Sequence, residues 1–229
     1  MGKPFVLLLD PGHGASGIDG VYFEEGKQSP DGKFREGDYN RFMADRLAEH
    51  FKGESSEDDV CVESFGRAPR TDLPAHVTTL VRGFHDWPVV ARQQMVDKFV
   101  KKLPGYRVIH ISLHCNADGD DTPGKWGKAQ GGRMFVRKNA NKESISLAFE
   151  LEQQFKNGPY LDLCSSSTQG SWLRRANFTA LSKTAYASIL LEMGFMDSHE
   201  NLALLLDKWK DIMTSIATGV SYFICERSS

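Results

Sequence analysis

The chain lacks any strong excess of charge. Its 28 Lys and Arg stand against 30 Asp and Glu, for a formal net charge of -2. Without a basic field to meet phosphate, a nucleic-acid partner is excluded as a reading. Cysteine is scarce as well. The four residues Cys61, Cys115, Cys164 and Cys225 lie far apart and form no CxxC pair. That spacing argues against a thiolate zinc site and for reduced, structural thiols. Long apolar runs are absent too. The first one, Phe5-Val6-Leu7-Leu8-Leu9, is far too short to span a bilayer, and it follows Met1-Gly2-Lys3-Pro4 directly, so no signal peptide is visible. Low-complexity linkers and internal repeats are also missing. The 229 residues, 40% of them apolar, are therefore expected to fold as one domain over 1–229.

What is present is a series of short apolar runs that alternate with helical periodicity. Phe5–Leu9 predicts a buried strand that ends at Asp10-Pro11-Gly12. Residues 15–35 read as a loop. From Glu36 to Phe51, the spacing of Phe42, Met43, Leu47 and Phe51 predicts a helix. Val60–Phe65 reads as a strand, 66–87 as a long loop, and Val89–Leu103 as a helix stopped by Pro104-Gly105. Arg107–Leu113 is a second apolar strand, followed by His114-Cys115-Asn116 and a Gly-rich loop over 118–132. Arg133–Arg137 reads as a strand, Lys142–Lys156 as a helix, 158–177 as irregular and Phe178–Leu181 as a short strand. Tyr186–Leu191 is a third buried strand, ending in Glu192, and one final helix is expected from Glu200 to Ile224.

Strands alternating with helices predict an α/β fold around a largely parallel sheet, in which ligands bind beyond the carboxyl ends of the strands. His13, His114 and Glu192 each follow such an end. If the three strands are neighbours, these side chains converge on one edge. With Glu36 they supply the parts of a zinc hydrolase. Two imidazoles and a carboxylate (His13, His114, Glu36) bind the metal and leave a position for water. A second carboxylate, Glu192, acts as base. Gly12 and Gly14 flank His13 and are expected to let the backbone turn sharply. Asp10 and Asn116 are placed to orient the ligating side chains. Gly194 is expected to leave space above Glu192.

Four blocks in order then carry a family resemblance. DPGHG at 10–14, EGDYN at 36–40, SLHCNA at 112–117 and LEMGF at 191–195 resemble the motifs of the zinc N-acetylmuramoyl-L-alanine amidases of bacterial wall remodelling and phage endolysins. Arg92, the SLA at 146–148 and the FTALSKT run from Phe178 are similar to that family as well. The resemblance implies a single twisted, mostly parallel sheet with helices on both faces, of the phosphorylase/hydrolase-like kind. It implies zinc on His13, Glu36 and His114, with Glu192 as the catalytic carboxylate. The reaction it implies is hydrolysis of the amide between the lactyl group of N-acetylmuramic acid and L-alanine in peptidoglycan. The expected route is synthesis in the cytoplasm and action at the cell wall or periplasm after release or export. Integral membrane association is not expected. Three positions depart from the family pattern: Ala15 for a usual glycine, Cys115 for a small residue, and Gly37 where a lysine often follows the acid.

Competing readings stand beside these. Glu24 and Glu25 are alternative ligands to Glu36, which could instead be a first-turn acid complementing its helix. Glu192 could be paired with Arg174 or Arg175. Cys115 is expected to point away from His114 as a buried thiol. His110 is read as a residue of the sheet face, and His50, His76, His85 and His199 as surface histidines. The final helix is expected to use Leu202, Leu205, Leu206, Trp209, Ile212 and Met213 as core packing. Other functions compatible with the site are a metallo-amidohydrolase or carboxypeptidase on free peptides, and a non-catalytic wall-binding module.

Overall fold

Strand β1 (Phe5–Pro11) is buried at every position and lies inside a six-stranded sheet of order β2-β1-β3-β6-β4-β5. The computed structural model describes residues 3–16, 27–53, 76–80, 85–119, 124–157, 172–181 and 185–228. Besides β1, the sheet holds β2 (His76–Thr79), β3 (Arg107–Asn116), β4 (Arg133–Val136), β5 (Leu173–Arg175) and β6 (Ala187–Phe195). β2, β1, β3 and β6 run parallel, β4 is antiparallel to β6, and β5 is parallel to β4. The largely parallel sheet expected from the alternation is thus present, with a reversed pair at one edge.

Five helices are described: α1 (Glu36–Gly53), α2 (Val89–Lys101), α3 (Lys142–Asn157), α4 (His199–Asp207) and α5 (Trp209–Ser228). The two faces of the sheet differ. Leu7, Leu9, Ile109, Ile111, Leu113, Ile189 and Leu191 join α1, α3 and α5 in one continuous apolar core. On α1, Met43 and Leu47 are fully buried in it, each a contribution of roughly 1.5–3 kcal/mol. The opposite face carries Leu8, Val108 and the polar residues of the site, and α2 covers part of it through Val96 and Phe99. Helices therefore lie on both faces.

Several boundaries move. β3 continues through His114 to Asn116, and β6 continues through Glu192 to Phe195. His114 and Glu192 are thus held inside paired strands, where the ladder fixes their direction. β2 occupies part of the expected 66–87 loop, and β5 part of the expected irregular stretch. Both are short edge strands without a fully buried run. Phe178–Leu181 is a turn closed by Leu181 N–H to Phe178 O, not a strand. The expected final helix breaks at Lys208, which leaves the helical conformation (φ -113°, ψ 19°). Leu206 is 54% exposed and so leaves the apolar stripe, whereas Leu205 and Ile212 are buried. The expected strand at Val60–Phe65 lies outside the described residues. Among the described residues, no helix is long and apolar enough to cross a membrane.

Candidate metal centre

The chain leaves β1 at Pro11 and turns at once. The N–H of Gly12 donates to Leu113 O at 2.8 Å, which ties the turn to β3. A Cβ at position 12 would stand 2.2 Å from Cε1 of His114, so this glycine is required by contact with the imidazole. The left-handed residue of the turn is His13 itself (φ +62°), not a flanking glycine. Histidine tolerates that region better than most side chains. Arg41, one turn beyond Gly37 on α1, donates to His13 O at 2.7 Å and to Gly37 O at 3.1 Å. Gly37 is equally constrained, because a Cβ there would meet Gly14 O at 1.5 Å. The departure from a usual lysine is therefore matched by a loop that sits against the helix start.

Glu36 opens α1, its N–H bonded to Lys27 O at 2.9 Å. Its carboxylate spans two imidazoles. Oε1 lies 3.0 Å from His114 Nδ1, and Oε2 lies 3.4 Å from His13 Nε2. The two rings stand edge to face with centroids 5.1 Å apart. One ligand atom from each of the three residues falls within 4.8 Å of the others, and among the described residues this is the group able to hold a metal ion. Two donors hold Glu36 Oε1 in place: the Cys115 N–H at 3.0 Å and Asn40 Nδ2 at 3.4 Å. Asn40 also donates to Gly12 O at 3.2 Å, so one amide couples the acid to the His13 loop. Cys115 itself is buried on the core side of the sheet, away from His114 as expected. Glu24 and Glu25 lie outside the described residues.

The electrostatics of the group fit the binding of a cation. Burial works against a charged Glu36, but the hydrogen bond from His114 and the charges of both histidines hold its carboxyl below the ordinary range. Burial likewise disfavours charge on His114, yet the bond to Glu36 and its negative charge raise this imidazole above its ordinary value. His13 is pushed down to about 4 by burial, against the pull of Glu36. A cation held by these three residues would take the place of a proton between His114 Nδ1 and Glu36 Oε1.

Glu192 faces this group from β6 as the register partner of His114, on the same side of the sheet. Its Oε2 is shielded from solvent and has no hydrogen-bond partner. Burial lifts its pKa to about 7, aided by Glu36 and opposed by His114 and Lys27. It is not paired with the two arginines considered for it: Arg174 donates to Leu173 O and Arg175 to Lys138 O.

Other expectations need correction. Asp10 does not orient His13 or His114. It is buried against Arg92, with Ser112 Oγ at 3.3 Å and His110 Nε2 at 3.6 Å. Arg92, reaching from α2, also donates to Pro11 O. Asn116 binds the N–H of its neighbour Ala117, and Asn40 takes the supporting role instead. Gly194 faces Leu205 and Asn201 of α4 rather than the space above Glu192. His50 is buried at 7% exposure, since position 50 continues the inward stripe of Met43 and Leu47. His76, His85 and His199 are exposed as expected, and His110 is fully buried in the sheet. Lys27 and Arg41 are site residues that no motif announced. The four-residue step from Glu36 to Asn40 is a helix-face signal that does announce Asn40.

Comparison with known proteins follows the same lines. The family model described as N-acetylmuramoyl-L-alanine amidase matches residues 75–222, well over half of the chain. That range contains His114 and Glu192 but neither His13 nor Glu36, which the folded chain brings to them. No curated protein matches in sequence. Several solved structures share the fold. The N-acetylmuramoyl-L-alanine amidase from Clostridium difficile 630 aligns with TM-score 0.69 and 18% identity, covering 98% of this chain and 99% of that one. The catalytic domain of CwlV, an amidase from Bacillus (Paenibacillus) polymyxa var. colistinus, aligns with TM-score 0.63 and 18% identity over 96% and 98%. The CwlD amidase from Clostridioides difficile, solved in complex with the GerS lipoprotein, gives TM-score 0.62 and 18% identity over 96% and 98%.

Proposed function

The chain belongs to the N-acetylmuramoyl-L-alanine amidase family, and we propose that it is a zinc enzyme that cuts peptidoglycan between the lactyl group of N-acetylmuramic acid and the L-alanine of the stem peptide. The observation that carries the reading is the convergence of His13, Glu36 and His114 within 4.8 Å, beside a buried carboxyl at Glu192 with no partner for one oxygen. The donor set suits zinc: two imidazoles and one carboxylate. Glu36 is held in its charged form and His13 in its neutral form, the states a metal requires.

Zinc on these residues would supply Lewis acidity, lowering the pKa of a bound water toward about 7 and polarising the scissile carbonyl. The chain's own side chains do the rest. Glu192, whose pKa burial lifts to about 7, takes a proton from the attacking water and returns it to the departing nitrogen of L-alanine. Asn40 and Arg41 keep Glu36 and the His13 loop in register throughout. The place of action is the cell wall, reached after release or export.

The test is digestion of purified sacculi by metal-loaded protein, with the newly exposed amino termini identified. L-Alanine termini on released stem peptides are the expected product. Protein that carries zinc and binds sacculi yet exposes no L-alanine amino group would defeat the proposal.

A further inference from the structure

The turn that presents His13 is left-handed at the histidine itself (φ +62°). A side chain is kept in that region only where its surroundings over-determine the backbone. Here three consecutive carbonyls of the turn each accept from a helix side chain. Arg41, from α1 on the core face of the sheet, donates to His13 O at 2.7 Å. Asn40 of the same helix donates to Gly12 O at 3.2 Å. Arg92, from the first turn of α2 on the opposite face, donates to Pro11 O, the last carbonyl of β1.

Arg92 is the most deeply built of the three contacts to interpret. It is only 6% exposed, and its Nη2 serves both Pro11 O and Asp10 Oδ1. Asp10 is held in turn. Ser112 Oγ donates to its Oδ2 at 3.3 Å, and His110 Nε2 lies 3.6 Å from the same oxygen. His110 is fixed from its other side, with Nδ1 2.9 Å from Ser188 Oγ. This chain of contacts crosses β6, β3 and β1 and ends on Arg92. The acid sets where the guanidinium stands, and the guanidinium sets where Pro11 O stands. A buried ion pair is a weak source of stability in itself. Pairing with Asp10 alone would also need no contact to the carbonyl two residues before His13.

We infer that Arg92 is a positioning residue for His13. With Arg41 it clamps the carbonyls of Pro11 and His13 from the two faces of the sheet, and so keeps the His13 imidazole where Glu36 and His114 share a zinc ion with it. The inference rests on the zinc reading of that group. If loss of the clamp leaves about one molecule in ten with the turn in its ligand conformation, the apparent dissociation constant for zinc rises about tenfold.

The experiment measures zinc affinity by competition with a chromophoric chelator, and the melting temperature of zinc-free protein, for wild type, Arg92→Lys, Asp10→Asn/Arg92→Gln and Arg41→Gln. The lysine keeps a charge against Asp10 but lacks the rigid fork of the guanidinium. The double variant removes both charges at once, so no lone charge is stranded in the interior. Each variant is expected to bind zinc about 10–100-fold more weakly than wild type, with Arg92→Lys the least affected. In zinc-free protein, the backbone carbon chemical shifts of His13 should move away from left-handed values in every variant. Arg92 variants with wild-type zinc affinity and wild-type His13 shifts, whatever their melting temperature, would assign the ion pair to stability alone and overturn the positioning role. Failure of both Arg92 variants to fold would do the same. Either result leaves the metal group intact. Wild type that binds no zinc would remove the zinc reading, and the inference with it.

Discussion

Glu192 has one oxygen sealed from solvent and unbonded, an arrangement that costs stability. Burial of this kind raises the carboxyl's affinity for a proton. Replacing it with glutamine keeps the shape and removes the base. Glu192→Gln is expected to lower kcat by about 10²–10⁴, to leave zinc content unchanged, and to melt no lower than wild type. Its titration sets a pH dependence. As the proposed base, Glu192 works only when ionised, so kcat/KM should fall as pH drops through the Glu192 pKa. Burial lifts that value to about 7, and a cation on the neighbouring residues would lower it by favouring the charged form. An acid limb with its midpoint at or below about 7, present in wild type and absent from the residual activity of Glu192→Gln, is the expected profile. An unchanged acid limb in the variant would assign the titration to another group.

At the scale of elements, the site depends on how closely the His13 loop approaches α1. Two effects compete at Gly37. Alanine is the better helix former by about 1 kcal/mol, but its Cβ would fall 1.5 Å from Gly14 O, where something must move. Steric displacement should win, because the obstacle is backbone rather than a flexible side chain. Gly37→Ala is expected to lose about 1–3 kcal/mol and to bind zinc more weakly, as Glu36 and His13 are pushed apart. A higher melting temperature with unchanged zinc affinity would show that helix propensity prevailed. The elements that carry the ligands were legible in the sequence for a physical reason. β1, β3 and β6 are buried on both faces and read as unbroken apolar runs, and α1 has a clear stripe. The short edge strands β2 and β5, with sequences HVTT and LRR, carry no such run, since an edge needs no buried alternation. The reversed direction of β4 is set by how connections pack and leaves no local trace. The break at Lys208 has neither Pro nor Gly to mark it. Among site residues, His13, Glu36, His114 and Glu192 stand in blocks, whereas Arg41 and Lys27 act through backbone approach and charge across the fold, which no spacing in the chain encodes.

For the whole molecule, the candidate metal group joins the turn after β1, the start of α1 and β3 through three side chains that are far apart in sequence. An ion bound there stabilises the native state and not the unfolded chain. Zinc at a hundred times its dissociation constant should add about 2.7 kcal/mol, which raises the melting temperature of a domain of this size by roughly 5–10 °C. The sign of the pH dependence follows from His114, whose pKa is raised in the folded chain by Glu36 despite burial. Without metal, the stability from that shared proton is present below the unfolded value of 6.5 and is lost as pH rises through the folded one. Zinc must displace the same proton, so its own stabilisation grows with pH. The gap in melting temperature between zinc-loaded and chelator-treated protein should therefore widen from about pH 6 to pH 8. Glu36→Ala should close the gap at every pH, because it removes both the ligand and the partner of the proton. Glu192→Gln should keep it, because Glu192 lies outside the metal group. A gap that survives in Glu36→Ala would move the ligand role to another acid, and a gap that narrows toward pH 8 would exclude displacement of the His114 proton as its origin.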